Sequence, residues 1–275
     1  MSYADKTFKN MCHEILKHGE NTKGQNVRAK WSNGEPAYTI KKFGIINEYN
    51  LEKEFPITTL RPIAFKLAID ELLWIWQKKS NNVNDLNSNI WHNWADKDGS
   101  IGKAYGYQLK VKHKYKEGEF DQVDRVLWDL KNNKYSRRIM TNIYVHNDLH
   151  EMNLYPCAYS MTFNVEKNKL NAILNQRSSD ILTANNWNVI QYAVLLHMVA
   201  QVSNLKVGKL IHVISDAHIY DRHVSQIKQL LSRNEYQAPK FWINPEIKDF
   251  YKFTIDDFKL TNYFKGDKMK IEVAI

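Results

Sequence analysis

Two stretches of the chain carry apolar residues at helical spacing, and four are dense in β-formers. From Arg61 to Lys79 (RPIAFKLAIDELLWIWQKK) the apolar positions Ile63, Leu67, Leu72 and Ile75 recur, and Pro62 stands where a first helical residue would. The spacing predicts a long core helix with Asp70 and Lys78 on a polar side. Asn188 to Ser203 repeats the pattern with Val189, Tyr192, Leu196 and Val199 on one face, and Asn204 marks a stop. Ile139–Val145, Ala158–Val165, Leu170–Gln176 and Lys209–Ile214 read as strands. Glu166-Lys167-Asn168-Lys169 reads as a hairpin loop of four residues, so that Val165 faces Leu170. Counting outward sets Cys157 opposite Ser178 and Ala158 opposite Arg177, to within a residue or two. A thiol, a guanidinium and a hydroxyl then share one end of a sheet. The fold class this predicts is α+β: a single domain over 1–275, a mixed β-sheet backed by long helices.

Composition narrows the setting. A chain of 275 residues, 43% hydrophobic, can bury a full core, and neither an internal repeat nor a Gly/Ser-rich linker divides it. Trp187 to Leu205 contains Asn188, Gln191, His197 and Gln201, which argues against a membrane span, and MSYADKTFKN lacks the apolar segment of a signal peptide. A cytoplasmic protein is expected, with its two cysteines, Cys12 and Cys157, unpaired. The net charge of +9 is diffuse: bases and acids interleave along Lys116–Asp129 and Lys240–Lys270 without a polybasic block. Such a field suits a small anionic substrate, with a basic nucleic-acid-binding protein as the reading from another class.

Cys157 follows Pro156 at a strand start, where a cysteine is either an inert packed hydrophobe or a nucleophile. Arginine charge lowers a thiol's pKa, and Arg177 across the hairpin is placed to do so. Cys12, in the amphipathic FKNMCHEILKHG, has no comparable partner and reads as structural. Glu71 lies amid Leu72, Leu73 and Trp74, as a proton-shuttling acid of raised pKa or as a snorkelling surface residue. Asn188 is either a helix N-cap or an amide free to read a ligand. His218 and Tyr220, two apart in an extended segment, project on one face.

The segments YPCAYSMTF, LNQRSSD, WNVIQYAVLLHMVAQ and SDAHIYDRH, with VRAKW, DELLWIWQ, IWHNWAD, AYGYQ and SRRIM upstream, stand in the order and spacing of the thymidylate synthase family. The chain resembles that family from Arg28 to Ile275. The resemblance implies a thymidylate synthase-like fold and reductive methylation of dUMP with 5,10-methylenetetrahydrofolate as co-substrate, without a metal or nicotinamide. It makes Cys157 the nucleophile at uracil C6, with Glu71 and Tyr105 in a proton network. The dUMP phosphate falls to Arg28, Arg177 and Ser178 and, across a homodimer interface, to Arg137 and Arg138 of the second subunit; guanidinium forks suit phosphate. Asn188 would read the base, and His218 and Tyr220 the sugar hydroxyl. Trp91 and Trp94 would wall the folate, Asp180 would bond its pterin, and the C-terminal Ala274 and Ile275 would belong to a closing flap.

Leu60 stands where the family commonly has a lysine near the folate tail, Thr183-Ala184-Asn185-Asn186 replaces a Gly/Pro stretch, Ala158 follows the cysteine in place of histidine, and Ser215 precedes Asp216. The altered pocket leaves a dUMP hydroxymethylase as the nearest rival, while the retained flap, by excluding water, speaks for methylation.

Overall fold

The computed structural model describes residues 2–275. Helix α1 (Tyr3–His18) precedes a short strand β1 (Glu20–Asn21) and a long strand β2 (Thr39–Asn50). Helices α2 (Phe65–Trp76) and α3 (Gly106–Lys110), the hairpin β3 (His113–Tyr115) and β4 (Gly118–Phe120), and helix α4 (Gln122–Asn132) follow. Then come β5 (Met140–Asn142), β6 (Ala158–Glu166), β7 (Lys169–Asp180), helix α5 (Asn185–Val202) and β8 (Lys206–Tyr220). Helix α6 (Val224–Leu231) and the hairpin β9 (Lys240–Ile243) and β10 (Phe258–Thr261) close the chain. Six strands form one mixed sheet in the order β1-β2-β8-β7-β6-β5. Only β7 and β8 run parallel, and α5 is the crossover that such a pair requires. The architecture is α+β.

On its inner face the sheet offers Met161, Phe163, Leu170, Ala172, Leu174 and Leu210 to α2 and α5. Helix α5 is buried nearly all round, as apolar residues on every side of it demand, and its polar Asn186, Gln191 and Gln201 bond to protein partners. It starts at Asn185, three residues earlier than the sequence suggested, and the Asn188 N–H donates to Ala184 O inside the helix, so Asn188 is not its cap. Helix α2 starts at Phe65, because Arg61–Ala64 stays irregular with the Arg61 guanidinium drawn to Leu182 O at 2.6 Å. Asp70 and Lys78 do not form the expected polar side of α2. Asp70 is buried and accepts from both nitrogens of Asn87, Lys78 lies past the helix end, and the outward residues are Lys66 and Leu67 in the first turn. A second cluster joins α1 and α6 to the sheet through Phe8, Met11, Ile15, Ile214, Ile219 and Ile227, and Cys12 is sealed within it. No helix is long and apolar enough to cross a membrane among the described residues.

The β6–β7 hairpin sets the geometry of the site. Val165 faces Leu170 as expected, but Glu166 also pairs with Lys169, which leaves a two-residue turn of Lys167 and Asn168, both with positive φ (49° and 62°). Between Ala158 and Ser160 the register shifts, so Ala158 pairs with Gln176 rather than Arg177. Cys157 therefore lies across from Arg177, not Ser178, and its carbonyl accepts from the Arg177 N–H at 2.9 Å. The strand expected over 139–145 shrinks to β5, whereas β8 runs well past Ile214 and carries His218 and Tyr220. Strand β2 is absent from the sequence reading, since Gly44 and interspersed charges break its alternation.

The outer face of the sheet has no covering helix. Two cross-strand rows run over it, Glu48–Ile211–Ile173–Thr162–Met140 and Ile46–Val213–Asn175–Ser160–Asn142. Ile46 is 69% exposed and Met140 49%.

Candidate active site

Pro156 leads Cys157 into β6, and the Tyr105 hydroxyl accepts the Cys157 N–H at 3.1 Å. Tyr105 has φ +47°, rare for a residue with a side chain, and Gly106 after it is pressed so closely on Ser80 that an added Cβ would lie 2.2 Å from the Ser80 carbonyl. Arg177 donates from Nε to Pro156 O at 3.0 Å and from Nη2 to Tyr155 O at 2.7 Å. These two carbonyls fix the guanidinium with Nη2 3.6 Å from the Cys157 sulfur. Burial pushes the thiol above its ordinary range, and Arg177, Tyr105 and Arg28 pull it only part of the way back. This corrects the expectation of a lowered pKa: in the chain alone desolvation outweighs the arginines, and the sulfur rests as a thiol.

Glu71 is no surface residue. It is buried on α2, where desolvation raises its carboxyl to about 7 against the pull of Gln191 and Trp187, whose indole donates to it at 3.0 Å. Trp91 packs edge-on to Tyr105 (4.9 Å) and to Trp94 (5.9 Å); its indole N–H is turned toward the Glu71 carboxyl, and that of Trp94 is buried without a protein partner among the described residues. Tyr192 senses both Glu71 and Cys157, which ties the acid and the thiol to one region.

The other predicted residues divide into two groups. Ser178 and Asn188 flank Gln176, whose Nε2 donates to Ser178 O and to Asn188 Oδ1, both at 3.0 Å. His218 is held through Nδ1 by Asp216 at 2.8 Å and stacks edge-on against Tyr220 at 5.1 Å. Arg28 is exposed in the loop after β1, and its charge reaches both Cys157 and Tyr220. Arg137 and Arg138 are not brought to this place. They precede β5, whose Met140 pairs with Thr162, well down β6 from Cys157. Both are exposed and, like Arg28, make no ion pair among the described residues.

The chain's end folds back on this region. Lys30 and Ile275 exchange both main-chain hydrogen bonds (2.8 and 2.9 Å), Ala274 lies just before this ladder, and Glu272 is gripped by Ser32 and Arg222. His223 Nε2 bonds Glu272 O at 2.7 Å while its Nδ1 lies 3.8 Å from Asp180. Burial would raise Asp180, yet His223 and Thr183 hold it below the usual carboxylate range. Its oxygens also accept the Leu182 and Thr183 N–H groups, so Asp180 shapes the turn into α5 as well. Leu60 is buried among α1 and α6 residues, and Asn186 is tied to Thr58, so these departures from the family pattern are packed into the fold. Gln176, Arg222 and His223 escaped the sequence reading. They sit inside the quoted LNQRSSD and SDAHIYDRH, but no spacing or charge run marks them.

A thiol fixed against a guanidinium, in a fold that also keeps a buried carboxyl near neutrality, has the perturbed groups of an enzyme's active site. Comparison with known proteins makes the class particular. The family model described as thymidylate synthase matches residues 6–275, and the chain belongs to that family. Thymidylate synthase of Bacillus subtilis subsp. natto is 45% identical over the full length of both chains, and that of Bacillus phage phi3T is 44% identical with the same coverage. The solved structure of thermostable thymidylate synthase A from Bacillus subtilis superposes over the full length of both chains with a TM-score of 0.96 at 43% identity.

Proposed function

We infer that this protein, one catalytic domain, converts dUMP to dTMP by reductive methylation, taking the carbon and a hydride from 5,10-methylenetetrahydrofolate and releasing dihydrofolate. The observation that carries the reading is the Cys157 sulfur held 3.6 Å from a guanidinium that two carbonyls immobilise. Uracil C5 is a poor nucleophile; a thiolate bonded to C6 pushes electron density onto C5, which then attacks the one-carbon unit. The C5 proton leaves as the bond from the transferred carbon to the folate nitrogen breaks, hydride from the folate then adds to the exocyclic carbon so freed, and the thiolate departs from C6. Because the thiol rests protonated, its proton must leave on substrate binding. Arg177 stabilises the charge that develops, and Glu71, near neutrality, is matched to relay protons.

Arg28, Arg177 and Ser178 are assigned to the phosphate, Asn188 to the base, and His218 and Tyr220 to the sugar. Trp91 and Trp94, packed edge to face, are assigned to a heteroaromatic co-substrate as an indole wall, with Asp180, Ala274 and Ile275 beside it. We assign Arg137 and Arg138 to the phosphate of the other subunit of a homodimer. They lie far along the sheet from their own Cys157, lack carboxylate partners, and adjoin an uncovered face bearing Ile46, Ile173 and Met140. Cys12 and Cys157 are both free thiols, which suits a reducing compartment and favours the cytoplasm. Incubation with dUMP and methylenetetrahydrofolate tests the reading: dTMP with stoichiometric dihydrofolate supports it, whereas 5-hydroxymethyl-dUMP, or salt-sensitive nucleic-acid binding without turnover, overturns it.

A further inference from the structure

Uracil presents an acceptor at O4 beside a donor at N3, and cytosine presents a donor amino group beside a bare N3. A carboxamide is itself a donor beside an acceptor, so turned over it would suit cytosine as well as it suits uracil. An asparagine chooses between them only if it is kept from turning.

Asn188 sits between two glutamines. Its Oδ1 accepts from Gln176 Nε2 at 3.0 Å, and its Nδ2 donates to Gln191 Oε1 at 3.2 Å. Each glutamine is anchored on a main-chain carbonyl, which can only accept: Gln176 Nε2 also donates to Ser178 O at 3.0 Å, and Gln191 Nε2 to Ala68 O at 3.2 Å. Gln176 Oε1 is left facing His212 Nε2 at 2.8 Å, which makes that ring nitrogen the donor. His212 Nδ1 is buried with no partner among the described residues. A proton there would meet no acceptor, and burial holds the ring's pKa down to about 3, so His212 stays the neutral Nε2–H tautomer. His212, Gln176 and Gln191 are all buried.

No amide in this chain turns alone. Turning Asn188 would set its Nδ2 against Gln176 Nε2 and its Oδ1 against Gln191 Oε1. Turning the glutamines too would oppose oxygen to oxygen at Ser178 and Ala68, and donor to donor at His212.

We propose that His212 and Gln191, with Gln176 between His212 and Asn188, are positioning residues for base choice: they hold the Asn188 carboxamide in the one orientation that pairs with uracil and rejects cytosine. This rests on the reading of Asn188 as the base-contacting amide.

The test is the ratio of dCMP to dUMP dissociation constants, by calorimetry, in His212→Phe, Gln191→Met and their combination, with Asn188→Asp as reference and thermal melting to verify folding. The combined variant is expected to lower the ratio at least tenfold, and His212→Gln, which keeps an N–H donor, to restore most of it. Gln191→Met breaks the chain from the helix side, so the test stands even where a His212 variant does not fold. A ratio within twofold of wild type in folded variants, including equal weakening of both nucleotides, overturns the proposal. If Asn188→Asp alone shifts the ratio, the reading of Asn188 survives and the relay falls. If Asn188→Asp leaves it unchanged, both fall.

Discussion

Burial raises both thiols, but only Cys157 has positive charge beside it to pull back. Cys157→Ser should lower kcat at least a thousandfold, about 4 kcal/mol of barrier, with dUMP still binding; steady-state kinetics and calorimetry check this. Cys12→Ser, whose sulfur only fills the α1 cluster, should change kcat less than twofold. Glu71 carries a pH signature. Its folded pKa of about 7 stands above the ordinary 4.5, so the native state binds its proton more tightly than the unfolded chain does. Its contribution to stability is therefore complete below pH 4.5 and is lost as pH rises through 7. Urea titrations from pH 4.5 to 8 should show Glu71→Gln gaining on wild type by up to roughly 3 kcal/mol; a constant difference would contradict the raised pKa. Its burial was foreseeable from Leu72, Leu73 and Trp74, whereas the balance at Cys157 was not, because desolvation depends on residues remote in sequence.

At the scale of elements, β-former density located β6 and β7, and the Val165–Leu170 pairing followed from it. The bulge near Tyr159 did not, since no glycine or charge marks it; a shift of one residue there decides whether Ser178 or Arg177 meets the cysteine. Polar residues that satisfy one another inside the core, such as Asp70 with Asn87, mimic a solvated face in a one-dimensional pattern and misled the reading of α2. The two-residue turn at Lys167-Asn168 makes its own prediction. Both residues hold positive φ, and Asn-Gly is the pair that suits such a turn. Lys167→Asn with Asn168→Gly should stabilise the protein by about 0.5–1 kcal/mol, seen as a rise in Tm of about 1–4 °C, with kcat unchanged because the turn lies at the far end of the strands from Cys157.

The whole molecule raises the question of its second copy. With Arg137 and Arg138 remote from their own thiol, mixing Cys157→Ser subunits with Arg137→Ala subunits should regenerate activity as exchange proceeds, toward one working site per heterodimer. Complete subunit exchange without any recovered dTMP formation would show that the sites are not shared. The uncovered rows through Ile46, Val213, Ile211 and Ile173 bring mass action into the stability of the fold. Where burying such a face is part of folding, unfolding releases two chains for each assembly lost, so the melting temperature should climb with protein concentration. Over a hundredfold concentration series the midpoint is expected to rise steadily, and Ile46→Lys, at a position 69% exposed in the isolated chain, should flatten that slope by favouring the separated subunit.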